Sequence, residues 1–129
     1  LPCSPFINIK DIKNISKLMS KFYHKKNIIT VSEFPTPIEW SFKINSKSIL
    51  EPVNKKFFYK RSQDFNPKYY DSGNILALPK KNLKNTNKNL ILNNLIPYLI
   101  PKYRSVDIDD MEDWKFAEFL FKYLLNEKK

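Results

Sequence analysis

Residues 8–31 read NIKDIKNISKLMSKFYHKKNIITV, and the class of fold turns on this stretch. Within it Ile9, Ile12, Ile15, Leu18, Met19, Phe22 and Tyr23 recur at three- and four-residue spacing with lysines between them. That is the pattern of a helix with one apolar face. Asn8 stands where a side-chain acceptor satisfies the first free amides, so an amphipathic helix is predicted over 8–25. The run from Asn27 to Val31 is short and apolar and reads as a buried strand. A helix that passes directly into a buried strand is the repeating unit of layered α/β proteins.

Downstream of this unit, Pro35 and Pro37 block regular structure, and Ile38, Trp40, Phe42 and Ile44 then alternate strictly, which predicts a half-buried strand over 38–45. Asn45 to Ser48 reads as a turn and Ile49-Leu50 as the start of a returning arm, a hairpin-like excursion. Phe57 to Tyr59 is expected as another short strand, and 61–72, which is polar and without period, as a functional loop. Gly73 to Leu78 reads as a strand, Pro79 to Lys84 as one or two helical turns, and an Asn-rich linker follows. The segment 96–100, with Pro97 inside it and Pro101 behind it, suits a strand at a sheet edge. A last helix is expected over 110–126, with Met111, Trp114, Ala117, Phe121, Leu124 and Leu125 on its core side and cations towards its end. The order describes a partial open sheet with helices packed on it, within one domain of 129 residues.

Composition removes several classes of function. With Cys3 the sole cysteine and His24 the sole histidine, neither an intrachain disulfide nor a Cys/His metal cluster can form, and the cell interior is favoured. No apolar run approaches the roughly 18 residues of a membrane span, and no signal-peptide pattern opens the chain. The expectation is a cytoplasmic protein with no membrane partner. Gly73 is the only glycine, so no Gly-rich phosphate loop lies in this chain. The net charge of +10 suggests nucleic acid. Against that, every basic residue except Arg61 and Arg104 is lysine, in company with abundant Asn and Ile, as A+T-rich coding sequence would produce. The lysines are also scattered rather than interleaved with aromatics, and no nucleic-acid partner is expected.

Two constellations can carry chemistry. Asp107, Asp109, Asp110, Glu112 and Asp113 fall within seven positions of a basic chain. Capping of the last helix explains Asp109 or Asp110 together with Glu112 or Asp113. Asp107 lies before the helix, and in extended backbone it shares a face with Asp109, which suits Mg²⁺ completed by water and phosphate oxygens. Spacing alone leaves capping and metal binding both open. The second constellation is Arg61-Ser62-Gln63-Asp64 followed by Tyr69-Tyr70-Asp71-Ser72-Gly73. Arg61 offers a planar fork suited to a carboxylate or phosphate, or else a surface pair with Asp64 or Asp71.

Taken in order, Phe34-Pro35-Thr36-Pro37-Ile38, Arg61 to Asp64, Tyr69 to Gly73, and Arg104-Ser105-Val106-Asp107-Ile108-Asp109 with Glu112-Asp113-Trp114 and Ala117-Glu118 resemble the acylneuraminate cytidylyltransferase family, most of all its pseudaminic acid branch. The resemblance covers nearly the whole chain. It implies a Rossmann-like nucleotide-sugar transferase sandwich with a β-hairpin extension, here 34–60, that forms a homodimer. It further implies transfer of CMP from CTP to a nine-carbon α-keto acid, giving the CMP-sugar and pyrophosphate for surface glycan synthesis. In that scheme Asp107 and Asp109 are catalytic and hold Mg²⁺, and Arg61 and Gln63 lie in the sugar pocket. Asp71 and Gly73 form a pocket-lining turn, and Arg104 steadies the acidic strand end or meets a phosphate. The family's amino-terminal half, with its basic Gly-rich loop, has no counterpart here, so the chain alone is expected to be inactive. Tyr70 and Asp110-Met111 depart from the usual pattern of the branch, which leaves the sugar less defined than the reaction. Two other readings stand beside this one: a truncated remnant that only dimerises, and a basic nucleic-acid-binding module.

Overall fold

A computed structural model describes residues 3–83 and 91–126. The chain divides into two compact units, one formed by residues 1–32 and 71–129 and the other by 33–70. The expected extension of 34–60 falls in the second unit, which runs on to Tyr70.

The first unit opens with α1 (Ile9–Lys21). Its start is a reciprocal cap: the Asp11 amide donates to Asn8 Oδ1 at 3.1 Å and the Asn8 amide to Asp11 Oδ2 at 3.0 Å. The helix stops short of the expected residue 25 because Tyr23 and His24 both turn left-handed, each with φ 51°. In that conformation their amides close back onto the Ser20 and Met19 carbonyls, at 2.9 Å each.

Strand β1 (Asn27–Glu33) is buried along almost its whole length, because it is the middle strand of a three-stranded sheet. Three further elements of the fold are β4 (Tyr69–Ala77), α2 (Lys80–Leu83) and β5 (Leu95–Leu99), and the sheet order is β4-β1-β5. β1 and β5 are parallel, in register from Asn27 with Leu95 to Val31 with Leu99. Pro97 thus sits on an edge strand, where a missing N–H is tolerated. The seam between β1 and β4 is polar: the Thr30 hydroxyl donates to the Ile75 carbonyl at 3.2 Å and accepts from the Ile75 amide at 2.8 Å. Beside it the Ser72 hydroxyl donates to the Thr30 carbonyl at 3.0 Å. The Asn-rich linker and Lys84 lie outside the described residues, except at the linker's far end.

The last helix, α3 (Met111–Asn126), differs from its expected packing. Among its described residues only Ala117 is buried, against Phe6 and Val106, with Ile108, Leu120 and Leu124 partly covered around them. Met111, Trp114 and Phe121, expected in the core, are at least half exposed, as are Phe116 and Phe119. The helix carries large apolar groups on more than one face, and the small Ala117 is where the close packing against Phe6 and Val106 forms. Among the described residues no helix is long and apolar enough to cross a membrane.

In the second unit, β2 (Phe42–Ile44) pairs antiparallel with β3 (Leu50–Pro52). Asn45 closes the turn, its Oδ1 accepting the Lys47 and Ile49 amides at 2.9 and 3.0 Å. The strand expected from residue 38 is shorter: Ile38–Trp40 forms a 3-10 turn, and the Trp40 indole donates to the Phe57 carbonyl at 3.0 Å. The strand expected at 57–59 is likewise a 3-10 turn, Lys55–Phe57, capped by Asn54. Trp40, Phe57 and Phe65 meet edge to face instead of lining a sheet.

Candidate functional site

The acidic segment follows the 3-10 turn Lys102–Arg104 and carries no strand, in contrast to the expected strand end. Alternation survives without it. Val106 and Ile108 pack on the Phe6–Ala117 core, while Asp107 is half-buried and Asp109 exposed. Capping is carried by two other carboxylates of the cluster: Asp110 Oδ1 accepts the Glu112 and Asp113 amides at 2.8 and 3.0 Å. Asp113 Oδ2 in return accepts the Asp109 and Asp110 amides at 3.1 and 3.2 Å. Among the described residues the carboxylates of Asp107 and Asp109 have neither a hydrogen-bond donor nor an ion-pair partner. Two anionic oxygen donors left free on an anchored backbone fit a hard divalent cation that completes its shell with water and phosphate. Among the described residues, no group of three or more His, Cys, Asp or Glu is placed to share a metal ion.

Arg104 turns inward. Its Nε and Nη2 donate to the Phe6 carbonyl at 3.1 and 2.8 Å, and Nη1 and Nη2 both reach the Asp11 carboxylate. Tyr98 Oη donates to Asp11 Oδ1 at 3.0 Å and accepts from Asn14 Nδ2 at 3.3 Å. No motif in the sequence marks Asp11 as a site residue. Its only local signal is its position three residues after Asn8, and that signal points to the cap alone.

On β4 the Asp71 carboxylate accepts the Gly73 amide at 2.9 Å, and Gly73 has φ 69°. This is the left-handed region in which a Cβ is penalised, the backbone reason for keeping glycine there. Arg61 and Gln63 belong to the second unit, both exposed, at the 3-10 turn Ser62–Asp64. The Arg61 guanidinium meets Asp64 Oδ1 at 3.4 Å, an exposed pair. Close by in the same unit, a cavity of about 340 Å³ is lined by Thr36, Glu39, Ser62, Asn66 and Lys68 among others. There the Lys68 ammonium, 2.6 Å from Glu39, holds the Glu39 carboxyl below its usual range against the opposing effect of burial.

No family model matches the chain. Two curated relatives do, and both are enzymes of the cytidylyltransferase class. One is the pseudaminic acid cytidylyltransferase of Campylobacter jejuni subsp. jejuni serotype O:23/36 (strain 81-176), 27% identical over 128 residues. The other bears the same name in Campylobacter jejuni subsp. jejuni serotype O:2 (strain ATCC 700819 / NCTC 11168) and is 26% identical over 127 residues. Each similarity covers 92% of this chain and 50% of the relative, so the chain spans about half the length of the curated relatives it matches. The resemblance read from the sequence is borne out by both.

Proposed function

We propose that this chain is the carboxyl-terminal part of a cytoplasmic cytidylyltransferase that transfers CMP from CTP to a nonulosonic acid, pseudaminic acid or a sialic-acid-like sugar. The observation that carries the reading is the similarity along 92% of the chain to two proteins named for that transfer. In the reaction the sugar's anomeric oxygen bonds to the α-phosphorus, the bond to pyrophosphate breaks, and the hydroxyl proton is released. Asp107 and Asp109 would hold Mg²⁺, and their freedom from partners among the described residues supports that role. Mg²⁺ bound there supplies neutralisation of charge on phosphate oxygens.

The remaining residues bind and orient. Arg61 meets the sugar carboxylate with its fork, exchanging the exposed contact with Asp64 for a bidentate one. Gln63, exposed on the same turn, offers an amide donor and acceptor to sugar hydroxyls. Asp71 fixes the turn at Gly73 by accepting its amide. The Rossmann-like sandwich belongs to the whole enzyme, with β4-β1-β5 as its share from this chain. The β2–β3 hairpin exposes Phe42, Ile44, Leu50 and Val53, which supports its reading as the homodimer extension.

Joining this chain to the amino-terminal half of one Campylobacter jejuni relative tests the proposal. The folded chimera is expected to release pyrophosphate from CTP only with pseudaminic acid and Mg²⁺ both present. Asp107→Asn and Asp109→Asn should each lower turnover about a hundredfold or more with an unchanged near-UV spectrum. Near-normal rates in both variants remove the metal role, and a folded chimera that makes no CMP-sugar overturns the reading.

A further inference from the structure

We propose that Asp11 and Tyr98, acting through Arg104, are positioning residues for the acidic segment 105–109. The inference rests on the metal role of Asp107 and Asp109 proposed above and assigns the residues that present them. Arg104 lies three positions before Asp107, and each of its guanidinium nitrogens is engaged on the Phe6 carbonyl or the Asp11 carboxylate. Its side chain is 16% exposed and that of Asp11 5%. The guanidinium therefore faces the start of α1.

Asp11 is the hub. The same carboxylate accepts the Asn8 amide that opens α1 and the Tyr98 hydroxyl from β5, so helix, sheet and acidic segment converge on one group. Downstream, Val106 is buried against Phe6 and Ala117, and the Asp109 amide is held by Asp113. The backbone is thus fixed on both sides of Asp107 while, among the described residues, the carboxylates of Asp107 and Asp109 stay free. The pairing has an electrostatic consequence too. A free arginine three residues from Asp107 would repel a divalent cation or neutralise the carboxylate, and Asp11 cancels that charge locally. Groups of this kind, behind the ligands, set how well a metal site is preformed.

The test uses the ¹⁵N-labelled full chain, titrated with Mn²⁺ alone and followed by paramagnetic broadening, beside amide hydrogen exchange. Variants are compared at a temperature where their near-UV spectra match. Arg104→Lys, which keeps the charge and loses the fork, and Asp11→Asn should each weaken Mn²⁺ binding about tenfold. Both should also speed exchange of the 105–109 amides, with Tyr98→Phe moving both readouts less in the same direction. A lowered melting temperature with Mn²⁺ affinity and 105–109 exchange both unchanged means a merely structural pair, and overturns the proposal. If the unaltered chain binds Mn²⁺ no better than the Asp107→Asn, Asp109→Asn double variant, the metal role falls separately. Exchange then decides alone: faster exchange confined to 105–109 in Arg104→Lys sustains the positioning role, and unchanged exchange ends it.

Discussion

Asp11 is subject to two opposed influences. Burial pushes its carboxyl up, but hydrogen bonds from Arg104, the Asn8 amide and Tyr98, with the Arg104 charge, outweigh it and hold the group below its ordinary 3.8. Because the folded value lies below the unfolded one, the stabilisation is complete above the unfolded value and lost as pH falls through the folded one. Urea midpoints for the unaltered chain and Asp11→Asn should therefore differ most at neutral pH and converge in acid below 3.8. Arg104→Met, which strands the Asp11 carboxylate, should cost about 3–5 kcal/mol in the same assay at pH 7. Gly73→Ala should cost about 1–2 kcal/mol, because alanine is penalised at the observed φ of 69°. The two residues differ in how far the sequence discloses them. Gly73 is conspicuous as the only glycine, whereas Asp11 meets Tyr98 and Arg104 across 87 and 93 residues and no local pattern encodes such a pairing.

The elements divide in the same way. Helices α1 and α3 and strands β1 and β5 are legible because each has a period, a cap or a bracketing proline in its own residues, whereas β4 starts at Tyr69, inside the stretch 61–72 expected as a loop. The alternation over 38–45 misleads: Ile38–Trp40 turns after Pro37, and Trp40 is satisfied by the Phe57 carbonyl instead of a ladder partner. At 55–57 the Asn54 side chain, accepting the Lys56 amide at 3.2 Å, is the turn signal that outweighs the aromatic run. For α3, the sequence leaves the cap to Asp109 or Asp110 with Glu112 or Asp113, and the hydrogen bonds assign it to Asp110 and Asp113. Asp110→Ala should lower stability by about 1 kcal/mol by urea unfolding and leave Mn²⁺ binding unchanged. Asp107→Asn should do the reverse.

At the scale of the whole chain, large apolar groups remain in contact with solvent on α3 and on the β2–β3 hairpin. Such surface normally marks an interaction face. The folded 129-residue chain should therefore enhance the fluorescence of a hydrophobic dye while giving a cooperative melt, and a dye-silent folded chain would contradict this packing. The polar seam between β1 and β4 works in the other direction, inside the first unit. A one-residue slip of β1 would turn Thr30 to the opposite face and leave its hydroxyl and the Ile75 amide buried without partners. An apolar seam would forgive the same slip, since one methyl group packs nearly as well as its neighbour. Thr30 and Ser72 thus act as a proofreading device, giving a misaligned sheet a distinct energetic signature and leaving one alignment to survive.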